Sequence, residues 1–419
     1  MRRHGSLLRR TRRKVGRIVK SWRLPFTSRG KSGLYDAGRT YWIDPERIKL
    51  ARDFRGIDRL DPNQRPYTSA RLERGLVVGG DWDVKETIPF EEMDVWRAFH
   101  YRYVEHGSWE ETGFYRRILR IVNGGHPLWG CTTREQLHAR MQQIDLLFAD
   151  IKETGYRTQE QLRSSCTFCE DDDEIHVHIG RHGDYIFADG RHRLCIAKIL
   201  GLEKVPVKVA RRHSDWVELR KRMVAYAAEQ TVGKIYAPVL HPDLADLPAQ
   251  HGHERMDIIR EHVKGVSGRA LDIGAHWGYF CHCLEDMGFE CTAVELSAEH
   301  LYFLWKLRRA ENKSFAVFEG SMFDLRGVGP FDVVLALNIF HHSLKEEASY
   351  NELIDFLGRV KTKLMFFEAH LPSERQMQGS FCNYSPDDFV SFVMRYGGFG
   401  SASLIGTMSD GRPLFKLES

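Results

Sequence analysis

The spacing of apolar positions changes twice along the chain. Phe90 to Val122 and Arg134 to Glu153 carry apolar residues three and four apart, as in Leu137, Met141, Ile144, Leu147, Phe148 and Ile151, which predicts helices. From Ile175 the period drops to two: IHVHI, a turn RHGD, then YIFADG. A helix RLCIAKILG closes with Gly201 before the strand VPVKVA. Residues 214–250 read as a helix and a Pro-containing connector, HPDLADLP. Beyond it, strands and helices alternate regularly to the end, the pattern of a parallel α/β sheet. Upstream, Tyr35 to Asp83 is rich in Gly, Pro and turns, and Asp44 stands before Pro45 as a helix cap. The pattern divides the chain into an arm 1–34, a mostly helical 35–144, a small α+β unit 145–213, a connector 214–250 and an α/β unit 251–419.

Composition narrows the class. The chain has 419 residues, 42% hydrophobic and 28% charged, with a mean hydropathy of −0.42 and no apolar run near membrane-spanning length. A mainly disordered chain and a transmembrane protein are both disfavoured. Eight cysteines in this length make neither a disulfide scaffold nor a repeated metal framework, so a reducing cytoplasm is expected. The net charge of +4 hides an asymmetry: residues 1–31 hold twelve Arg or Lys and no acid, leaving 49 basic against 57 acidic side chains elsewhere. Leu8, Val15, Ile18, Val19 and Trp22 share one face of a helix there, with Arg12, Arg13, Arg17 and Lys20 largely on other faces. That suits peripheral attachment to an anionic membrane surface. A solvated tail ranks ahead of that reading, and a nucleic-acid contact behind it.

The strongest chemical signal is ALDIGAHWGYFCHCLEDMG, a short strand entering a turn at Gly274 and Gly278, then a helix. Small residues there let backbone N–H groups approach a ligand at the helix's positive end. About twenty residues on, CTAVE ends in Glu295, placed to accept hydrogen bonds from ribose hydroxyls. FAVFEG followed by SMFDL, and FDVVLALN followed by IFHH, continue the alternation. Over roughly 251–419 these residues resemble the class I S-adenosylmethionine-dependent methyltransferases. The resemblance implies a seven-stranded Rossmann-like sheet closed by an antiparallel hairpin. It places the cofactor on Asp272, Gly274, Ala275, Gly278, Glu295, Met322 and Asp324, with Asn338 beside the methyl group.

Asn338-Ile339-Phe340-His341 replaces the N-P-P-F or D-P-P-Y of nucleic-acid amino methyltransferases, and no Pro-Cys pair exists for pyrimidine C5 chemistry. An oxygen acceptor on a small molecule, glycan or lipid-linked intermediate is therefore expected. His341 or His342 is the candidate general base, since imidazole titrates near neutrality; the alternative is that one packs and the other is solvated. Trp277 and Tyr279 either stack on a ligand or pack their helix. Cys281, Cys283, Cys166 and Cys169 do not complete a tetrahedron, so no metal site is expected.

In the middle segment, Asp189-Gly190-Arg191-His192-Arg193 opens a helix after a strand. Backbone donors, helix dipole and guanidinium converge there on one anion. Residues about 145–213 resemble the ParB/sulfiredoxin-like nucleotide-binding fold, whose G-x-H-R turn matches Gly190, His192 and Arg193. Arg191 stands where sulfiredoxins place their cysteine and partition proteins their glutamate, so neither activity is implied. What remains is a site for a nucleotide, with Mg2+ if it is a kinase, or for a phosphorylated acceptor. Arg181, Arg211 and His213 are further basic candidates, and Asp189 and Asp171–Glu174 supply carboxylates. The contrasting reading is a non-catalytic ligand sensor or nucleic-acid binder built from two nucleotide folds.

Overall fold

A computed structural model describes residues 35, 38–52, 74–163, 174–230, 232–327 and 329–419. The arm, Cys166, Cys169 and Asp171–Asp173 lie outside the described residues. Among the described residues, fourteen strands form two seven-stranded sheets.

The first sheet contains β1 (Thr40–Ile43), β2 (Leu50–Arg52), β3 (Leu76–Val78), β4 (Thr87–Pro89), β5 (Ile175–Ile179), β6 (Tyr185–Asp189) and β7 (Val205–His213). Its order is β1-β7-β5-β6-β2-β4, with β3 also pairing with β7. Thr40–Ile43 pairs antiparallel with the start of β7, and Leu76–Val78 runs parallel to its end. Four strands thus come from one side of residue 144 and three from the other. The expected boundary between 35–144 and 145–213 does not divide this sheet, and the first segment is not simply helical. Strands of three or four residues are too short to show a period, and each depends on a distant partner. The predicted helices do form, at Asp94–Tyr103, Gly113–Asn123 and Arg134–Thr154. Asp44 caps one turn of 3-10 helix, its carboxylate accepting the Glu46 N–H at 2.8 Å. The alternation in IHVHI does not mark one wet face: all five residues, His176 and His178 included, are buried.

The second sheet contains β8 (Arg269–Ile273), β9 (Glu290–Glu295), β10 (Ala316–Glu319), β11 (Phe331–Leu337), β12 (Thr362–Glu368), β13 (Ser401–Thr407) and β14 (Pro413–Glu418). The order is β10-β9-β8-β11-β12-β14-β13. The first five are parallel, and β14 lies antiparallel between β12 and β13. This is the sheet with a closing hairpin that the sequence implied. Strand order reverses between β8 and β11, so a crevice opens at their carboxyl ends, where open α/β sheets bind ligands.

Helix Ser214–Gln230 leads directly from β7 toward the second sheet. Its Tyr226 packs in one apolar cluster with Trp277, Phe303 and Leu307. Arg47 of the first unit pairs with Glu311 at 3.0 Å. The connector is anchored by Asp243, which accepts from Arg212 and from Trp216 Nε1 (2.9 Å), all three buried. A buried charge needs such full pairing to be tolerated. The anchor holds Tyr236 to Leu240 over the crevice.

Candidate active site

At the end of β8 the chain turns through Gly274 (φ 72°) and Gly278 (φ 83°), which caps helix Tyr279–Asp286. The positive φ favours glycine at 274, where a Cβ would press on the movable end of Ile339 at 2.7 Å; the N–H groups of Gly274 and Ala275 are not the free donors the turn sequence suggested, since both donate to the Val294 carbonyl at 2.9 and 3.0 Å. Above this turn lies a cavity of about 500 Å³, lined by Asp272, Gly274, Ala275, Glu295, Met322, Asn338 and His342 among others. Gly278 shapes the turn without lining the cavity. Asp324 is exposed and His341 buried, and neither lines it.

The two acids differ. Burial pushes the Asp272 carboxyl up to about 7, with the Cys281 thiol 3.7 Å away opposing it. Burial also works against an ionised Glu295, but hydrogen bonds from His300 and from the backbone N–H groups of Ser297 and His276 outweigh it. Its carboxyl stays below the usual range. His276 N donates to Oε2 at 2.7 Å, and Leu296 N and Ser297 N donate to Oε1 at 3.0 and 2.8 Å. A preset anion therefore faces the cavity on the edge of β9.

The histidine pair separates in the same way. Burial pushes His341 down to about 3, outweighing the opposing contact with the Gln376 side chain. The His342 ring, 4.1 Å away, reaches the cavity; partial desolvation and then the Lys345 ammonium lower its pKa, so it is neutral near pH 7. Asn338 sits at φ 55°, with its amide Nδ2 3.3 Å from the Tyr236 hydroxyl. Trp277 and Tyr279 both pack and line the cavity: Trp277 lies 4.4 Å from the Phe303 ring, and the Tyr279 hydroxyl 2.6 Å from His253 Nδ1. Tyr226, Tyr236, Arg255, His276 and His300 also line it. Sequence reasoning missed these because the first three come from outside the recognised strands, and nothing in the turn motif points to imidazoles. Among the described residues no cluster fits a metal ion.

A second cavity, of about 510 Å³, is lined by Gly190, Arg191, His192 and Arg193 together with Trp129, Arg140, Leu147 and Asp189. Gly190 (φ 87°) caps helix Arg191–Ile199, and its N–H already donates to Asp189 Oδ1 at 2.8 Å. A Cβ there would meet Ile175 Cα at 2.8 Å, so strand packing demands this glycine whatever the ligand. His192 stacks on Phe99, and burial pushes it down to about 3. The positive charge at this cavity therefore comes from Arg140, Arg191 and Arg193, of which Arg140 carried no sequence signal. Arg181 is instead bound to Asp83 (2.7 Å), buried His213 contacts the Gly80 carbonyl (2.8 Å), and Arg211 lies over the Trp82 ring. None of the three lines the cavity.

Residues 271–358 match the family model described as a methyltransferase domain. An uncharacterized methyltransferase of Staphylococcus carnosus is 28% identical over 140 residues, 33% of this chain and 64% of that protein. The bifunctional kinase-methyltransferase WbdD superposes with a TM-score of 0.39 at 19% identity, covering 46% of this chain and 45% of WbdD. The methyltransferase domain of bacterial CtHen1 gives 0.33 at 15% identity, over 40% of this chain and 98% of that domain. The chain thus spans less than two thirds of the curated relative, 64%, and less than half of WbdD, 45%.

Proposed function

We propose that the C-terminal unit binds S-adenosylmethionine and transfers its methyl group to an oxygen of a small-molecule, glycan or lipid-linked acceptor. The observation that carries this is the convergence of a bare glycine turn, a preset carboxylate and a neutral imidazole on one cavity. When bound, S-adenosylmethionine supplies an electrophilic methyl carbon. Gly274, whose own N–H is donated to the Val294 carbonyl, would leave room for the ligand beside the turn, and Glu295 would accept from the ribose hydroxyls. Asn338 and Tyr236, 3.3 Å apart in the cavity lining, would hold the acceptor. His342 would take the acceptor hydroxyl's proton, so that the oxygen gains the methyl group while the sulfonium S–CH3 bond breaks and the neutral thioether leaves. His341, weakly basic and outside the lining, supports that ring by packing. Calorimetry with S-adenosylmethionine tests donor binding, and methyl incorporation into fractionated cell extract, lost in His342→Ala, tests transfer.

A second reading concerns the arginine-lined cavity. Three guanidiniums beside a helix N-terminus support binding of a nucleotide or a phosphorylated acceptor at Gly190–Arg193, in keeping with the ParB-like resemblance. If the site is a kinase, Mg2+ is required to neutralise the transferred phosphoryl group. Titrations with ATP, ADP and CTP, with and without magnesium, test it. For residues 1–31 we expect salt-dependent binding to anionic vesicles, at about 1 kcal/mol per basic residue near the surface. No helix among the described residues is long and apolar enough to cross a membrane.

A further inference from the structure

Glu295 is held from two directions. On one side are the backbone donors of its own turn. On the other is His300, whose Nδ1 lies 3.4 Å from Oε1. The far nitrogen of that ring, Nε2, is 2.8 Å from the Tyr226 hydroxyl. Tyr226 belongs to helix Ser214–Gln230, the direct continuation of β7 in the first sheet. Its hydroxyl also stands 3.4 Å from Nε2 of His276, the residue whose own N–H donates to Glu295.

A phenol has one proton to donate, and the shorter contact assigns it to His300 Nε2. That bond fixes the tautomer with the proton on Nδ1, facing the carboxylate, as a second partner commonly does for imidazole. Burial raises the Tyr226 pKa, which keeps the phenol protonated. The ring is held independently of the hydroxyl, 5.4 Å from Trp277 and 5.8 Å from Phe303. Removing the oxygen alone therefore leaves the packing in place.

We propose that Tyr226, acting through His300, is a positioning residue for Glu295, so that methyl-donor affinity depends on a side chain supplied by the helix that continues from the first sheet. The proposal rests on the reading of Glu295 as the ribose-binding acid. It gives the fusion of the two units a physical consequence: the donor pocket is complete only when the helix leaving the first sheet is docked against the turn at His276.

The test is a double-mutant cycle on the full chain, read by calorimetry with S-adenosylmethionine. Tyr226→Phe is expected to weaken binding 5- to 10-fold with an unchanged melting temperature. In a Glu295→Ala background the same change should cost nothing further, because the group it positions is gone. Equal affinity of Tyr226→Phe and wild type overturns the proposal. So does a loss that persists undiminished beside Glu295→Ala, which marks a merely structural role. Should Tyr226→Phe misfold, His300→Gln is carried through the same cycle with the same criteria. Failure of wild type to bind the donor at all is a different result: it removes the cofactor reading, and this proposal with it.

Discussion

Gly278 and Gly190 occupy equivalent places in two different sheets. Each follows a strand, adopts left-handed backbone (φ 83° and 87°) and opens a helix. The cavities beside them have opposite character. Carboxylates outnumber the lone Arg255 in the first, with Asp272, Glu295 and Glu311, whereas Arg140, Arg191 and Arg193 outnumber Asp189 in the second. One backbone device thus serves two chemistries, and the choice is made by side chains from neighbouring elements. The reasons for glycine differ as well. Gly274, in the first turn, avoids an isoleucine side chain at the cavity floor, whereas Gly190 avoids the backbone of β5.

The largest expected effect separates the cavities by ligand. Gly274→Arg fills the first turn, and calorimetry should show at least a 100-fold loss of S-adenosylmethionine affinity in folded protein. Unchanged affinity would end the cofactor assignment. The reciprocal change, Arg193→Ala, should abolish nucleotide binding and leave the methyl donor untouched, because its guanidinium lies in the other cavity. If both ligands are lost together, the two sites are not independent. Glu295→Ala should cost about 1.5–3 kcal/mol of donor affinity, the worth of hydrogen bonds to a charged group.

A fourth expectation concerns the glycines themselves. Gly190→Ala meets backbone at 2.8 Å, whereas a Cβ at Gly278 meets the Phe315 ring at 3.2 Å. Thermal melts should show the larger loss at Gly190, on the order of 1–3 kcal/mol, because a ring can yield and a paired strand cannot.

The last expectation concerns pH dependence. His176 and His192 in the first unit are pushed down to about 4 and about 3, and His178 well below its usual value, all chiefly by burial. Between pH 6.5 and 4 the unfolded chain binds more protons at these positions than the folded one. Stability therefore falls with acid, by about 1.4 kcal/mol per pH unit for each fully titrating group. The second unit has buried histidines too, with His341 near 3, His282 and His251 near 4 and His276 well below its usual value. Asp272 and Glu368, raised by burial to about 7, oppose them there. Their folded pKa exceeds the unfolded value, so their contribution is present at acid pH and lost as pH rises through 7. Thermal melts should show stability falling as pH drops from 6.5 to 4; a midpoint unchanged over that range would overturn this reading of the buried histidines.

The sequence by itself determined the second sheet. Each of its five parallel strands is followed by a helix or a turn of helix close in the chain, so apolar period, glycine turn and acid at strand end were all readable locally. It also located Gly190–Arg193 as a group facing one cavity. Only the tertiary structure decided that residues 40–89 contribute four strands to the first sheet, since those strands are too short to carry a period and bond to partners far along the chain. Tertiary packing also set the roles within each motif. It buried His341 and left His342 at the cavity, took Asp324 out of the lining, and brought Arg140 and Tyr226 to sites their local patterns do not announce. The physical reason is the same in each case. Backbone geometry follows from neighbours in the chain, whereas burial and charge at a site depend on which distant side chains pack against it.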